Sequence, residues 1–198
     1  DGKHFQADGL ELALKPMQQP RPPMWYGGSV DKAVERAARL SDTSLGDSWV
    51  ASSHLTEEVI TRQAVLYQDT LKQLGKPAPV EFPLLRNIVV ASDRETALRE
   101  AGPFLEASYR IFGQWGLFTN VVGSGKAQLG LEELIAGRVI LGSPEECAEE
   151  LVRLSRTTGF TRLIARIQWL GMDQRIVLRT IQLLANEVRP LVEANLRE

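Results

Sequence analysis

Residues 20–42, PRPPMWYGGSVDKAVERAARLSD, constrain the chain more than any other stretch. They read as a rigid lead-in, a short buried strand, a glycine turn and a helix start. That order builds an anion-binding site at the carboxyl end of a strand. Pro20, Pro22 and Pro23 keep the approach extended, because each fixes its own φ and restricts the residue before it. Met24, Trp25 and Tyr26 are apolar and strand-prone. Gly27 and Gly28 let the backbone turn tightly or approach a ligand closely. Ser29 or Asp31 caps the following helix, whose free N–H groups then face whatever sits above the turn. Val30, Ala33, Val34, Ala37, Ala38 and Leu40 or Ser41 form its inward stripe. Lys32, Glu35, Arg36 and Arg39 lie on the outer face, with Glu35–Arg39 a favourable i, i+4 pair. A glycine pair between strand and helix also serves as a plain turn, so the motif alone leaves both readings open.

The rest of the chain repeats the strand-then-helix order. Residues 9–14, GLELAL, alternate and predict a short half-buried strand. A strand is expected at 41–45 and a loop at 46–53. Thr56 opens a helix over 57–74, closed by Gly75. Residues 82–91, FPLLRNIVVA, are the clearest strand. Ser92-x-x-Glu95 reads as a capping box, with a helix to about residue 107. Residues 108–131 read as a long functional loop or insertion. GSGK at 123–126 lacks the leading glycine and the following Ser/Thr of a phosphate loop. Ser143, Pro144 and Glu146 mark N-cap, N1 and N3 of a helix reaching about residue 157, with Gly159 beyond. Residues 161–169, TRLIARIQW, predict a final strand, and Asp173 caps a last helix. About four strand–helix units imply a parallel sheet with helices packed outside it.

Composition removes several function classes. The 198 residues suit a single domain spanning 1–198. A net charge of −2 gives no general attraction to nucleic acid or anionic lipid. No apolar run approaches the ~20 residues of a membrane span, and no signal peptide is visible. Cys147 is the single cysteine, so no intrachain disulfide forms and a cytoplasmic location is expected. It reads as a small core residue. The two histidines, His4 and His54, are far apart, and no protein-built metal site is expected. No Ser-His-Asp arrangement emerges, and no catalytic residue is assigned. His54 reads as an exposed loop residue, with acid–base work as the alternative. Arg86 and Arg166 lie within strand patterns, and alternation leaves each either facing an anionic ligand or lying under a helix. Trp169, with Gln168, ends a strand where it either lines a pocket or joins the core.

Several segments, in order, resemble the luciferase-like flavin monooxygenases, the group that holds bacterial luciferase and alkanesulfonate monooxygenase. They are DGKHF at 1–5, PMQQPRPP at 16–23, WYGGS at 25–29 and AARLSD at 37–42. LGSPEE at 141–146, QWLGM at 168–172 and EVRP at 187–190 continue the series. The resemblance implies a (β/α)8 barrel of the TIM type, of which these segments resemble the carboxyl-terminal half, with an insertion near 108–131. It implies reduced FMN, dioxygen and a small organic substrate, with Gly27, Gly28 and Ser29 at the flavin phosphate and Trp169 lining the pocket. A deazaflavin-dependent reductase on the same scaffold, a non-catalytic half-barrel and a subunit of a split enzyme are alternatives. Four strands leave two open edges and an inner face exposing large apolar groups. That predicts either a homo-oligomer or an amino-terminal half missing from this chain.

Overall fold

The computed structural model describes residues 2–11, 13–116 and 130–197. Five parallel strands alternate with helices: β1 Trp25–Gly27, α1 Asp31–Leu40, β2 Ser48–Val50, α2 Glu57–Gln73, β3 Pro83–Val90 and α3 Arg94–Gln114. Then follow α4 Leu131–Ile135, β4 Val139–Gly142, α5 Pro144–Thr158, β5 Arg162–Arg166, α6 Gln174–Leu183 and α7 Arg189–Asn195. A π turn over Leu184–Val188 joins the last two helices, just before Pro190.

The strands pair as β1–β2 and β4–β3–β5. A parallel bridge from Ala51 to Leu84 links the two groups. The amides of Leu85 and Ala91 donate to Ala51 and Gly142, so β2 and then β4 meet the same edge of β3. β5 pairs with Pro83–Asn87 on the other edge. Chain order therefore reverses at β4. A right-handed crossover then requires α3 to lie on the face opposite α1, α2 and α5.

The core divides accordingly. On one face Tyr26, Trp49, Ala51, Leu84, Ile88, Val90, Ile140 and Leu163 pack against α1, α2, α5 and α7. On the other, Val89, Ala91 and Leu141 pack against Ala97, Ala101, Leu105 and Tyr109 of α3, together with Trp169. This second layer covers most of the apolar inner face expected to be exposed. Leu85 and Ile164 are left half-buried, and Trp25 is 39% exposed at the β1 edge.

Several expectations need correction. Leu10 and Leu14 are exposed, and the described residues of 9–14 form no strand. β1 is not buried as a whole, because only Tyr26 packs inward. The strand expected at 41–45 is a 3-10 turn, Thr43–Leu45, closed by Gly46 at φ 85°. The strand lies instead at Ser48–Val50, within the expected loop. β4 was not expected as a strand. Asp93, not Ser92, caps α3: its carboxylate accepts from the Thr96 amide at 2.7 Å, while the Ser92 hydroxyl donates to Asp93. α3 runs on to Gln114, so 108–114 is helix rather than loop; residues 117–129, including GSGK, lie outside the described residues. The capping box at Ser143, with Pro144 behind it and Gly159 at φ 75°, forms as expected.

Candidate functional site

All five strands point their carboxyl ends the same way, so the turns after them share one rim. At the β1 end, Gly27 has open space where a Cβ would stand. A Cβ on Gly28 would lie 2.7 Å from that of Ala33. Gly28 is thus required by packing, and Gly27 is free for close approach. The turn is fixed from two neighbours. The Trp49 indole donates to the Gly28 carbonyl at 2.9 Å, and the Gln63 amide donates to the Ser29 carbonyl at 3.1 Å.

Neither Ser29 nor Asp31 caps α1. Its N-cap is Val30, without a side-chain bond. The Asp31 carboxylate is taken by Arg62 at 2.7 Å and by Gln63, which hold its pKa below the usual carboxylate range. The amides of Asp31 and Lys32 have no carbonyl of their own helix to donate to, while that of Ala33 donates to the Val30 carbonyl at 2.8 Å. Here they stand beside an aspartate already neutralised by Arg62. The N-terminus of α1 therefore keeps its preference for an anion.

At the β2 end, His54 is buried to 9% exposure, not exposed as expected. Its Nδ1 lies 2.8 Å from Ser52 Oγ, and its carbonyl accepts from Arg138 Nε at 3.0 Å. Burial, with the Arg138 charge, lowers its pKa and favours the neutral ring. At the β5 end, Trp169 is 3% exposed and belongs to the α3-side core, with its indole N–H buried and without a partner among the described residues. In strand order β5 lies three places from β1, about 14 Å on a flat sheet. The described residues do not bring Trp169 into contact with Gly27–Ser29.

The two strand arginines separate. Arg86 shares its face with Leu84 and Ile88 and is 2% exposed. Its Nη1 donates to the carbonyls of Leu55, Gly137 and Arg138 at 3.0–3.3 Å. Burial brings its pKa down to about 10. Arg166 is the register partner of Asn87, on the opposite face. Cys147 is fully buried in the first core and its thiol is pushed up to about 12 by burial, so it is chemically quiet. Among the described residues no helix is long and apolar enough to cross a membrane.

A family model described as luciferase-like monooxygenase matches residues 1–162. The chain belongs to this family. Solved structures of similar fold include the oxygenating constituent of 3,6-diketocamphane monooxygenase from Pseudomonas putida, a type II Baeyer-Villiger monooxygenase in complex with FMN. It shares 17% identity, with 97% of this chain and 57% of that one covered and a TM-score of 0.70. The monooxygenase RslO1 from Streptomyces bottropensis shares 18%, covering 90% and 50%, with a TM-score of 0.67. An F420-dependent secondary alcohol dehydrogenase in complex with an F420-acetone adduct shares 16%, covering 97% and 55%, with a TM-score of 0.67. This member of the luciferase-like family spans about half the length of those structures. At these identities the likeness is one of fold, a parallel α/β half of a TIM-type barrel.

Sequence reasoning missed Trp49 and Gln63, the two side chains that hold the glycine turn. Trp49 fell within an expected loop, although S-W-V carries the aromatic and β-branched residues of a strand. Gln63 sits inside α2, and its position in the sequence gives no sign of its contact with Ser29.

Proposed function

We propose that the chain supplies the phosphate-binding side of a flavin-dependent monooxygenase and is the carboxyl-terminal half of its barrel. The carrying observation is the turn at Gly27–Ser29. It combines open space at Gly27, a close-packed Gly28, two side chains bracing its carbonyls and a helix N-terminus directly behind it. These features fit a flavin phosphate. Bound reduced FMN supplies the electrons with which dioxygen oxygenates a small organic substrate. The chain's own work in that reaction is to anchor the phosphate through backbone amides and to fix the turn's position through Trp49 and Gln63. His54, whose neutral form is favoured by burial, is a candidate at this rim for taking up a proton.

Deazaflavin is the second reading, favoured by the F420-dependent dehydrogenase among the structures of similar fold. Its phosphate would use the same turn. Titration of the purified protein with FMN and with F420, followed by flavin fluorescence, tests both. Gly27→Ala should weaken binding of the true cofactor about tenfold while the fold is kept. An unchanged affinity removes the phosphate-site assignment.

A further inference from the structure

Arg166 ends β5 with its guanidinium carbon 5.4 Å from the Phe112 ring centre and 5.8 Å from that of Trp169. Both distances are in cation–π range. The two rings come from different elements, α3 and the segment after β5. They hold the flat guanidinium between them. Among the described residues no carboxylate, carbonyl or hydroxyl accepts a hydrogen bond from Arg166. Other arginines are matched: Arg162 on the same strand face pairs with Glu81, and Arg179 of α6 pairs with Glu100.

Two further polar atoms lie beside it. Asn87, its register partner, is fully buried, and its Oδ1 has no partner among the described residues while its Nδ2 donates to the Tyr109 hydroxyl at 2.9 Å. The Trp169 indole N–H is likewise buried and without a partner among the described residues. Three neighbouring side chains thus keep hydrogen-bonding capacity at the carboxyl end of a strand. A barrel of this type places its chemistry at that end.

We infer that Arg166 is a recognition group for the carboxylate of a small organic acid. A guanidinium presents two parallel N–H groups in one plane, and a carboxylate matches them in bidentate geometry. The flanking rings fix that plane in advance and add apolar surface for the remainder of the ligand. Asn87 stands beside the arginine on the neighbouring strand, with an amide oxygen to offer the same ligand. This names the substrate class of the proposed monooxygenase and rests on that reading, but binding of the acid is measurable without flavin.

The test is calorimetric titration of the flavin-free protein with sodium benzoate and with benzamide, which keeps the ring and lacks the charge. Benzoate should bind saturably and benzamide should not. Arg166→Gln should weaken benzoate at least tenfold, the size of a charge-assisted hydrogen-bond pair. Arg166→Lys, which keeps the charge without the planar fork, should fall between. Urea midpoints and FMN affinity should match those of the unsubstituted protein for both variants. Equal benzoate binding by Arg166→Gln, or none by the unsubstituted protein, overturns the inference. Lost FMN affinity in Arg166→Gln assigns the arginine to the flavin phosphate and overturns it too. Failure of FMN to bind any of these proteins, with benzoate binding intact, removes the flavin reading and upholds this one.

Discussion

Arg86 and Arg166 stand on neighbouring strands in similar apolar sequence, yet they meet opposite surroundings. Arg86 is enclosed, and its guanidinium bonds three carbonyls from the segment after β2 and the turn before β4. Arg138 repeats the pattern, bonding the carbonyls of His54 and Leu134. Together they clamp the 54–55 segment to the α4–β4 junction. The carbonyls offset much of the desolvation, and at Arg86 the more distant carboxylates of Glu150 and Glu57 add a favourable charge. Arg166 is half-buried between two rings and has no acceptor among the described residues. One arginine completes the fold. The other adds little to it and keeps its donors.

The largest effect should come from breaking the enclosed arginine. Arg86→Met removes the donor to three carbonyls and leaves them buried. Each unmet group costs about 1–3 kcal/mol, so a loss of about 3 kcal/mol or more is expected in urea unfolding. A loss below about 1 kcal/mol would mean that the clamp carries no stability. Arg86→Lys keeps the charge but only one of the contacts, and should fall between.

Asp47 provides the next largest, and it is a carboxylate counterpart of the clamp. Fully buried, it takes a bidentate pair from Arg21 at 2.8 and 2.7 Å and the amides of Met24 and Asp42 at 2.8 and 2.9 Å. Chiefly the Arg21 bonds lower its pKa from 3.8 to about 2. A depressed folded-state pKa gives stability that is complete above the unfolded value and is lost as pH falls toward the folded one. The unsubstituted protein should therefore lose about 2 kcal/mol between pH ~5 and ~2 through this group. Asp47→Asn should start less stable and show a flatter slope in that window. Matching slopes would show that Asp47 does not couple folding to pH.

Gly28→Ala comes third. Its Cβ would overlap Ala33, and crowding of that kind costs about 1–3 kcal/mol. Gly27→Ala should cost only tenths, because its Cβ meets open space. Thermal unfolding of the pair separates packing from ligand approach. If both variants are equally destabilised, Gly27 is a structural glycine after all.

The elements that could be read from sequence are those whose signals are local. Ser143, Pro144 and Glu146 settle the start of α5 by contacts three residues apart. Thr56, Gly75 and the long apolar run of β3 are equally self-contained. What was missed depends on partners distant in the chain. Alternation at 9–14 found no neighbouring strand among the described residues. Ser48–Val50 is a strand because Trp25 and Pro83 lie on either side of it. α3 outlasts Pro103 and Gly113 because Ala97, Ala101, Leu105 and Tyr109 have a face to pack on. At the site, the glycine turn was visible, but its braces, Trp49 and Gln63, were not. Arg86 and Arg166 could not be sorted without knowing which face each strand turns to which helix layer.

The smallest expected effect is the one that most sharpens the contrast. Arg166→Gln removes two cation–π contacts, worth about 0.5–1 kcal/mol each where solvent reaches. It also relieves a half-buried cation that has no acceptor, so the two terms largely cancel. The net change in urea unfolding should stay within about 1 kcal/mol, against about 3 for Arg86→Met. A loss as large as that at Arg86 would make Arg166 a second clamp, with a folding role in place of a ligand. A small loss leaves an ordered, charged, aromatic-flanked group that folding does not require. Its fixed place between the two rings is then explained by what it binds.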